Sequence, residues 1–197
     1  MNRIEICGGL ASGKTTFADL MSRVSFEPVL ENFKKVPFWE AFYTNPGKYI
    51  FETEITFMLL HYHQIKRQNV KENGVLVCDF SFYLDRAYAK VGLSGSQLEA
   101  FERVYLEVRK ELGSPFLLVH LKCDAETELV RIRARARPEE SSINLDFLDR
   151  LNKELEKEVS AIQAECPVIT INSVIKDFAN DETVKKEMVD LIQEEIQ

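Results

Sequence analysis

Residues 8–15 read Gly8-Gly9-Leu10-Ala11-Ser12-Gly13-Lys14-Thr15 and fit the pattern G-x-x-x-x-G-K-[ST] of a phosphate-binding loop. The flanks agree with it. An apolar run with Ile4 and Ile6 precedes the loop, and a helical pattern with Phe17, Leu20 and Met21 follows it. Glycines let the backbone curl until successive N–H groups point at phosphate oxygens, and the helix N-terminus adds partial positive charge. In such a loop Lys14 bridges the outer phosphates and Thr15 offers its hydroxyl to Mg²⁺. Gly8 through Thr16 are therefore expected to hold a nucleotide.

Outward from the loop, five short apolar runs read as buried strands: residues 3–7, 25–30, 75–78, 115–122 and 167–171. Helical patterns fill the intervals. This alternation predicts crossover units, hence an α/β fold with a five-stranded parallel sheet flanked by helices. Without an internal repeat or a Gly/Ser linker, the 197 residues are read as one domain.

The formal charge of -7 is uneven. Residues 1–130 are near neutral at -2, residues 131–137 (Arg-Ile-Arg-Ala-Arg-Ala-Arg) carry +4, and residues 138–197 carry -9. A sequence pI near 5.2 argues against a nucleic-acid polymer as partner, yet a small phosphorylated ligand needs only local positive charge. The first apolar run begins almost at Met1 without a basic lead-in, so no signal peptide is expected. No apolar run approaches the roughly 18 residues of a membrane span. Cys7, Cys78, Cys123 and Cys166 form no CxxC pair, which favours buried free thiols and a cytoplasmic location.

Three further features carry chemistry. Val75-Leu76-Val77-Cys78-Asp79 is an apolar strand ending in an acid. Ligands of open α/β sheets gather at the carboxyl ends of strands, so Asp79 is a candidate for Mg²⁺, with a helix N-cap as the bland alternative. Glu27 precedes Pro28 and is a candidate general base for a substrate hydroxyl. Phe51, Ile55, Met58, Tyr62 and Ile65 form one helical stripe, and Glu54 and His61, seven residues apart, share a face beside it. In the arginine cluster, Arg131 and Arg135 share a face, as do Arg133 and Arg137. Planar guanidinium groups suit the spread charge of a transferring phosphoryl group. Residues 131–142 are therefore read as a small Arg-rich lid, the alternative being a solvated face paired with Glu126, Glu128, Glu139 and Glu140.

Together these residues resemble the deoxynucleoside kinase family, which has a P-loop NTPase fold. Phe26-Glu27-Pro28-Val29 resembles its Glu-Pro-Val segment, whose Glu is the catalytic base. Residues 42–51, from Phe42-Tyr43 to Ile50-Phe51, look like the bacterial family's Phe-Tyr-x-x-Pro-x-x-Tyr-x-Phe stretch, which puts Tyr43 at the substrate. Arg131, Arg135 and Arg137 with Glu139-Glu140 look like the lid arginines and the acids behind them, and Asp177-Phe178 looks like the loop over the ATP adenine. Asp85 matches an acid near the nucleoside base. The chain also departs from the pattern. The family's Asp/Glu-Arg-Ser segment is Asp79-Phe80-Ser81 here, so Phe80 stands where an Arg pairs with the catalytic Glu. A base-reading Gln falls on Glu54, an Arg falls on His61, and the lid glycine is Ala136.

The resemblance implies ATP-dependent, Mg²⁺-assisted transfer of a phosphoryl group to the 5′-hydroxyl of a deoxynucleoside, by a homodimer. Glu27, Lys14, Arg131 and Arg135 would carry the chemistry. Thr15 and Asp79 would hold the metal ion, and Arg137, Asp177 and Phe178 would complete the ATP site. Tyr43, Glu54, His61, Phe80, Asp85 and Glu140 would face the acceptor. An ionised Glu54 only accepts hydrogen bonds, which suits the adjacent N1–H and N2–H₂ donors of guanine and favours a deoxyguanosine-like purine. A P-loop kinase of another small acceptor, such as a nucleoside monophosphate, and a catalytically impaired ATP-binding protein are the competing readings. Phe80 is the best support for the second.

Overall fold

The computed structural model describes residues 2–24, 26–69 and 74–196. The phosphate loop joins β1 (Arg3–Cys7) to α1 (Lys14–Ser22). There follow β2 (Glu27–Val29), a 3₁₀ turn at Phe33–Lys35, α2 (Trp39–Thr44), α3 (Pro46–Lys66), β3 (Leu76–Cys78), α4 (Phe82–Gly92) and α5 (Gly95–Leu112). The chain continues through β4 (Leu117–Lys122), α6 (Ala125–Arg135), a second 3₁₀ turn at Pro138–Ser142, α7 (Leu145–Ile162), β5 (Val168–Asn172) and α8 (Glu182–Glu195). All five strands fall within the apolar runs or one residue past them. Ser25, the first residue of the second run, lies outside the described residues.

The sheet is wholly parallel with order β2-β3-β1-β4-β5. Parallel strands need crossovers, so helices cover both faces and the strands are apolar on both sides. On one face Ile4, Ile6, Val119 and Leu121 pack against Phe17 and Met21 of α1 and Met188 and Ile192 of α8. On the other, Cys7 and Leu118 pack against α4 and α7 through Tyr83, Ala87, Leu148 and Leu151. A third cluster joins β2 and β3 to α3, α4 and α5. The four cysteines are buried and free.

The strand register separates the two ends of the sheet. Arg3 and Glu27 both lie level with Leu76 at the amino ends of their strands. Gly8 and Asp79 each directly follow the last residue of a strand, at the carboxyl ends. Glu27 therefore stands about four residues, or about 13 Å of extended chain, from the end where the phosphate loop opens.

In the Arg-rich segment α6 stops at Arg135 because Ala136 turns into the left-handed region, with φ of 49°. A residue with a Cβ costs about 1–2 kcal/mol there, and the strain falls where the family pattern has glycine. Arg137 and Pro138 follow outside the helix.

Candidate active site

A cavity of about 530 Å³ opens at the carboxyl ends of β1, β2 and β3, a volume typical of small-molecule sites. Leu10, Ala11, Gly13, Lys14, Thr15 and Thr16 line its phosphate-loop side. Lys14 donates to the carbonyls of Gly8 and Gly9, each at 2.9 Å, so its ammonium group sits inside the curl of the loop. Gly13 has φ of 105°, which only glycine adopts without strain. At Gly9 a Cβ would run into the carboxyl of Glu128, so the loop closes tightly over α6. Gly8, Gly9 and Ser12 shape the loop without lining the cavity.

Asp79 joins three elements. Its Oδ2 accepts the Thr15 hydroxyl at 2.7 Å and its Oδ1 accepts the backbone N–H of Glu31. It does not cap α4, because Ser81 does so by accepting the N–H of Tyr83. Burial pushes the Asp79 carboxyl up, against the pull of the Thr15 and Glu31 hydrogen bonds. Thr15 and Asp79 are adjacent hard oxygen donors. Two protein oxygens suit Mg²⁺, which keeps several waters and takes its remaining ligands from phosphates.

The expected general base is placed differently by the fold. Glu27 starts β2 and does not line the cavity, whereas Glu31, two residues beyond the end of β2, does. In the sequence, Glu31 follows directly after the apolar run 25–30, just as Asp79 follows run 75–78. The Glu-Pro-Val resemblance points instead to Glu27, at the other end of the strand.

His61 binds Glu31 and Asp85 together. Its Nε2 lies 3.1 Å from Glu31 Oε1 and its Nδ1 2.9 Å from Asp85 Oδ2. The ring is stacked on Phe80 with centroids 4.0 Å apart and planes 6° from parallel. Burial works against a charge on His61, but Asp85 and Glu31 outweigh it and raise its pKa to about 10. Burial likewise raises Glu31, and the His61 hydrogen bond and charge bring its carboxyl below the usual range.

Glu54 is buried on α3 and lines the same cavity. Burial, then the Asp85 carboxylate, hold its pKa well above the ordinary value. Desolvation thus favours the protonated form, which has one donor and one acceptor. The expectation of an ionised Glu54 rests on residue spacing, which does not reveal burial. The helix is also turned further than its apolar stripe predicts. Glu54, Met58, His61 and Ile65 are buried, while Phe51, Ile55 and Tyr62 are only partly so. Tyr43 lines the cavity from α2, among Phe33, Trp39 and Phe42.

The lid arginines are held individually. Arg131 donates to the carbonyls of Ala11 at 3.3 Å and Ser173 at 2.7 Å. Arg135 makes a two-pronged pair with the buried Glu140, both contacts 2.7 Å. Arg137 reaches the same carboxylate at 3.3 Å and lies over the Phe33 ring. Arg131, Arg135, Arg137 and Glu140 all line the cavity. Arg133 points elsewhere and donates to the carbonyls of Ser141 and Ile143, which ties the 3₁₀ turn to the end of α6.

Asp177 and Phe178 lie beside the phosphate loop, outside the lining of the cavity. Phe178 is buried edge-on against Phe17, with centroids 5.3 Å apart, and contacts the underside of Gly13. Asp177 accepts the N–H of Asn180 within its own turn. Neither lines the cavity, because the phenyl ring completes the core beneath the loop.

Comparison with known proteins adds the remaining evidence. A family model described as deoxynucleoside kinase matches residues 4–197. The deoxyguanosine kinase of Bacillus subtilis (strain 168) is 29% identical over 182 residues, covering 89% of this chain and 88% of the relative. The deoxyadenosine kinase of Dictyostelium discoideum is 28% identical over 179 residues, covering 86% of this chain and 71% of the relative. Among solved structures, a deoxyadenosine kinase from M. mycoides with bound dCTP superposes with a TM-score of 0.81 at 21% identity, covering 98% of both chains. With bound dATP the score is 0.76 at 21% identity, covering 100% of this chain and 99% of the other.

Proposed function

Since the chain belongs to the deoxynucleoside kinase family, we propose that it transfers the γ-phosphoryl group of ATP to the 5′-hydroxyl of a purine deoxynucleoside, with Glu31 rather than Glu27 as the base. The observation that carries this reading is one cavity with Lys14 and the phosphate loop on one wall and Glu31, Glu54 and Asp85 on the other.

In the proposed reaction the 5′-hydroxyl gives its proton to the Glu31 carboxylate as its oxygen attacks the γ-phosphorus. The bond from that phosphorus to the bridging oxygen breaks, leaving ADP and a deoxynucleoside monophosphate. Lys14 and the loop amides bind the phosphates, and Arg131 and Arg135 stabilise the charge of the transferring group. Thr15 and Asp79 would hold Mg²⁺, which when bound neutralises phosphate charge. Positioning supplies most of the acceleration in such transfers.

The purine preference is supported by the names of the curated relatives, deoxyguanosine and deoxyadenosine kinases. In the protonated form that burial favours, Glu54 presents a donor beside an acceptor, as an amide does. That form suits adenine (N6–H and N1) and guanine (N1–H and O6) alike, so within the purines it favours neither strongly. A carboxyl at position 54 and a single acceptor-side imidazole already held by two carboxylates offer little to a second phosphate group, which weighs against a nucleoside monophosphate acceptor. The homodimer, the cytoplasmic location and the single-domain boundaries belong to the same proposal. Among the described residues no helix is long and apolar enough to cross a membrane.

The test is turnover of Mg·ATP with each of the four deoxynucleosides and the four monophosphates. Higher kcat/KM for deoxyadenosine and deoxyguanosine is expected. A pyrimidine or monophosphate preference would overturn the acceptor assignment, and ATP binding without turnover on any acceptor would favour the impaired reading.

A further inference from the structure

On the acceptor side of the cavity, His61 touches two carboxylates at once, Asp85 through Nδ1 and Glu31 through Nε2. An ionised carboxylate only accepts, and a neutral imidazole has one N–H. Satisfying both contacts requires both ring nitrogens protonated. The ring has no freedom to turn away: Phe80 lies flat on one face at 4.0 Å, and Phe82 meets it edge-on at 6.4 Å. Glu31 is fixed at its other end, since its backbone N–H is held by Asp79. Its side chain remains one-third exposed, within reach of a substrate.

We infer that His61 is the positioning residue for Glu31, a ring held between Asp85 and Glu31 that donates to both carboxylates and aims the base into the cavity, with Phe80 as the platform for the ring. The pair does together what an arginine at position 80 would do alone, so Phe80 is not a sign of lost catalysis. Asp85 is correspondingly a partner of His61 before it is a reader of the nucleoside. This rests on the reading of Glu31 as base.

The titratable groups facing this pair come from five places. Asp85 approaches from α4 and Glu54 from the helix that carries His61. Lys14 and Arg137 face Glu31 from the phosphate loop side and the lid, and Asp79 holds its N–H from the end of β3. Burial opposes charge on His61, and the facing Asp85 and Glu31 carboxylates outweigh it.

The experiment uses the full chain with His61→Gln and His61→Arg. Gln keeps a donor but no charge; Arg keeps both. In wild type, ¹⁵N NMR should show both ring nitrogens protonated at pH 7.5. His61→Gln should lower kcat with deoxyadenosine about tenfold to a hundredfold by misplacing the base, with a much smaller change in KM and unchanged ATP affinity. His61→Arg should return kcat toward wild type. A wild-type ring with one nitrogen unprotonated at pH 7.5, or a wild-type kcat in His61→Gln, would overturn the clamp. If wild type phosphorylates no deoxynucleoside, the kinase reading fails while the ¹⁵N spectrum still decides whether the ring donates to both carboxylates.

Discussion

Glu27 and Glu31 are the same side chain four residues apart, and their neighbours make them different. Glu31 lines the cavity beside His61 and hangs by its N–H from Asp79; Glu27 sits level with Leu76 at the far end of its strand. Glu31→Gln removes the proton acceptor and should lower kcat by about 10²–10⁴-fold, the usual worth of general base catalysis. Glu27→Gln should leave kcat within about threefold. Steady-state kinetics on both variants decide this, and the opposite ranking would return the base role to Glu27. A second residue-scale expectation concerns Glu54. In the protonated form that burial favours, it offers the same donor and acceptor as an amide, so Glu54→Gln should keep the ratio of kcat/KM between deoxyguanosine and deoxyadenosine within about threefold. A large move away from guanine would instead mean that the carboxylate binds ionised.

Helix α6 works on two levels. Its second half and the residues just past it carry the lid arginines, and its first half lies under the phosphate loop, where Glu128 is fully buried. Glu128 accepts from Asn152 at 3.1 Å, and its Oε1 has no hydrogen-bond partner among the described residues. Burial raises its pKa to about 8, against the lesser pull of Asn152 and Lys14. Because the folded value is the higher one, the native state holds its proton between pH 4.5 and 8 while the unfolded chain releases it. Stability therefore falls as pH rises through that window, by an amount on the order of a few kcal/mol. Glu128→Gln removes this dependence. Its melting temperature should match wild type near pH 4.5 and exceed it by several degrees at pH 8.5. An equal difference at both pH values would mean that the carboxyl does not titrate there.

At the scale of the molecule, the sheet is tied to its helices by one buried ion pair at the amino end of β1. Arg3 donates to Glu5 at 2.8 Å and to the carbonyls of Leu112 and Gly113 at the end of α5, and Glu5 accepts the N–H of Phe82 at the start of α4. Removing one partner of such a pair strands the other charge in the core. Arg3→Met should cost about 3–5 kcal/mol in urea unfolding, and a loss below 1 kcal/mol would show the pair to be replaceable. Arg3 itself stands at the amino end of β1, away from the phosphate loop, so the variant's residual folded fraction should still bind ATP, with an affinity within about threefold of wild type provided that Glu5 keeps its hold on α4.

The α/β class, all five strands, the phosphate loop and the arginine cluster were legible in the chain because each is a local pattern. An apolar run of five residues is a strand wherever it lands, and the loop's glycines and lysine lie within eight consecutive positions. What the tertiary structure alone decided depends on distance through space. Strand order and register separate Glu27 from Glu31, although both neighbour the same apolar run. The packing of Phe178 against Phe17 beneath Gly13 makes that ring part of the core under the loop. Burial pushes the Glu54 pKa up, and a fold bringing residues 31, 61, 80 and 85 together decides that a histidine stacked on a phenylalanine stands beside Glu31. Periodicity reports which face of an element is apolar; only the folded chain sets which charges meet there, and how dry that meeting place is.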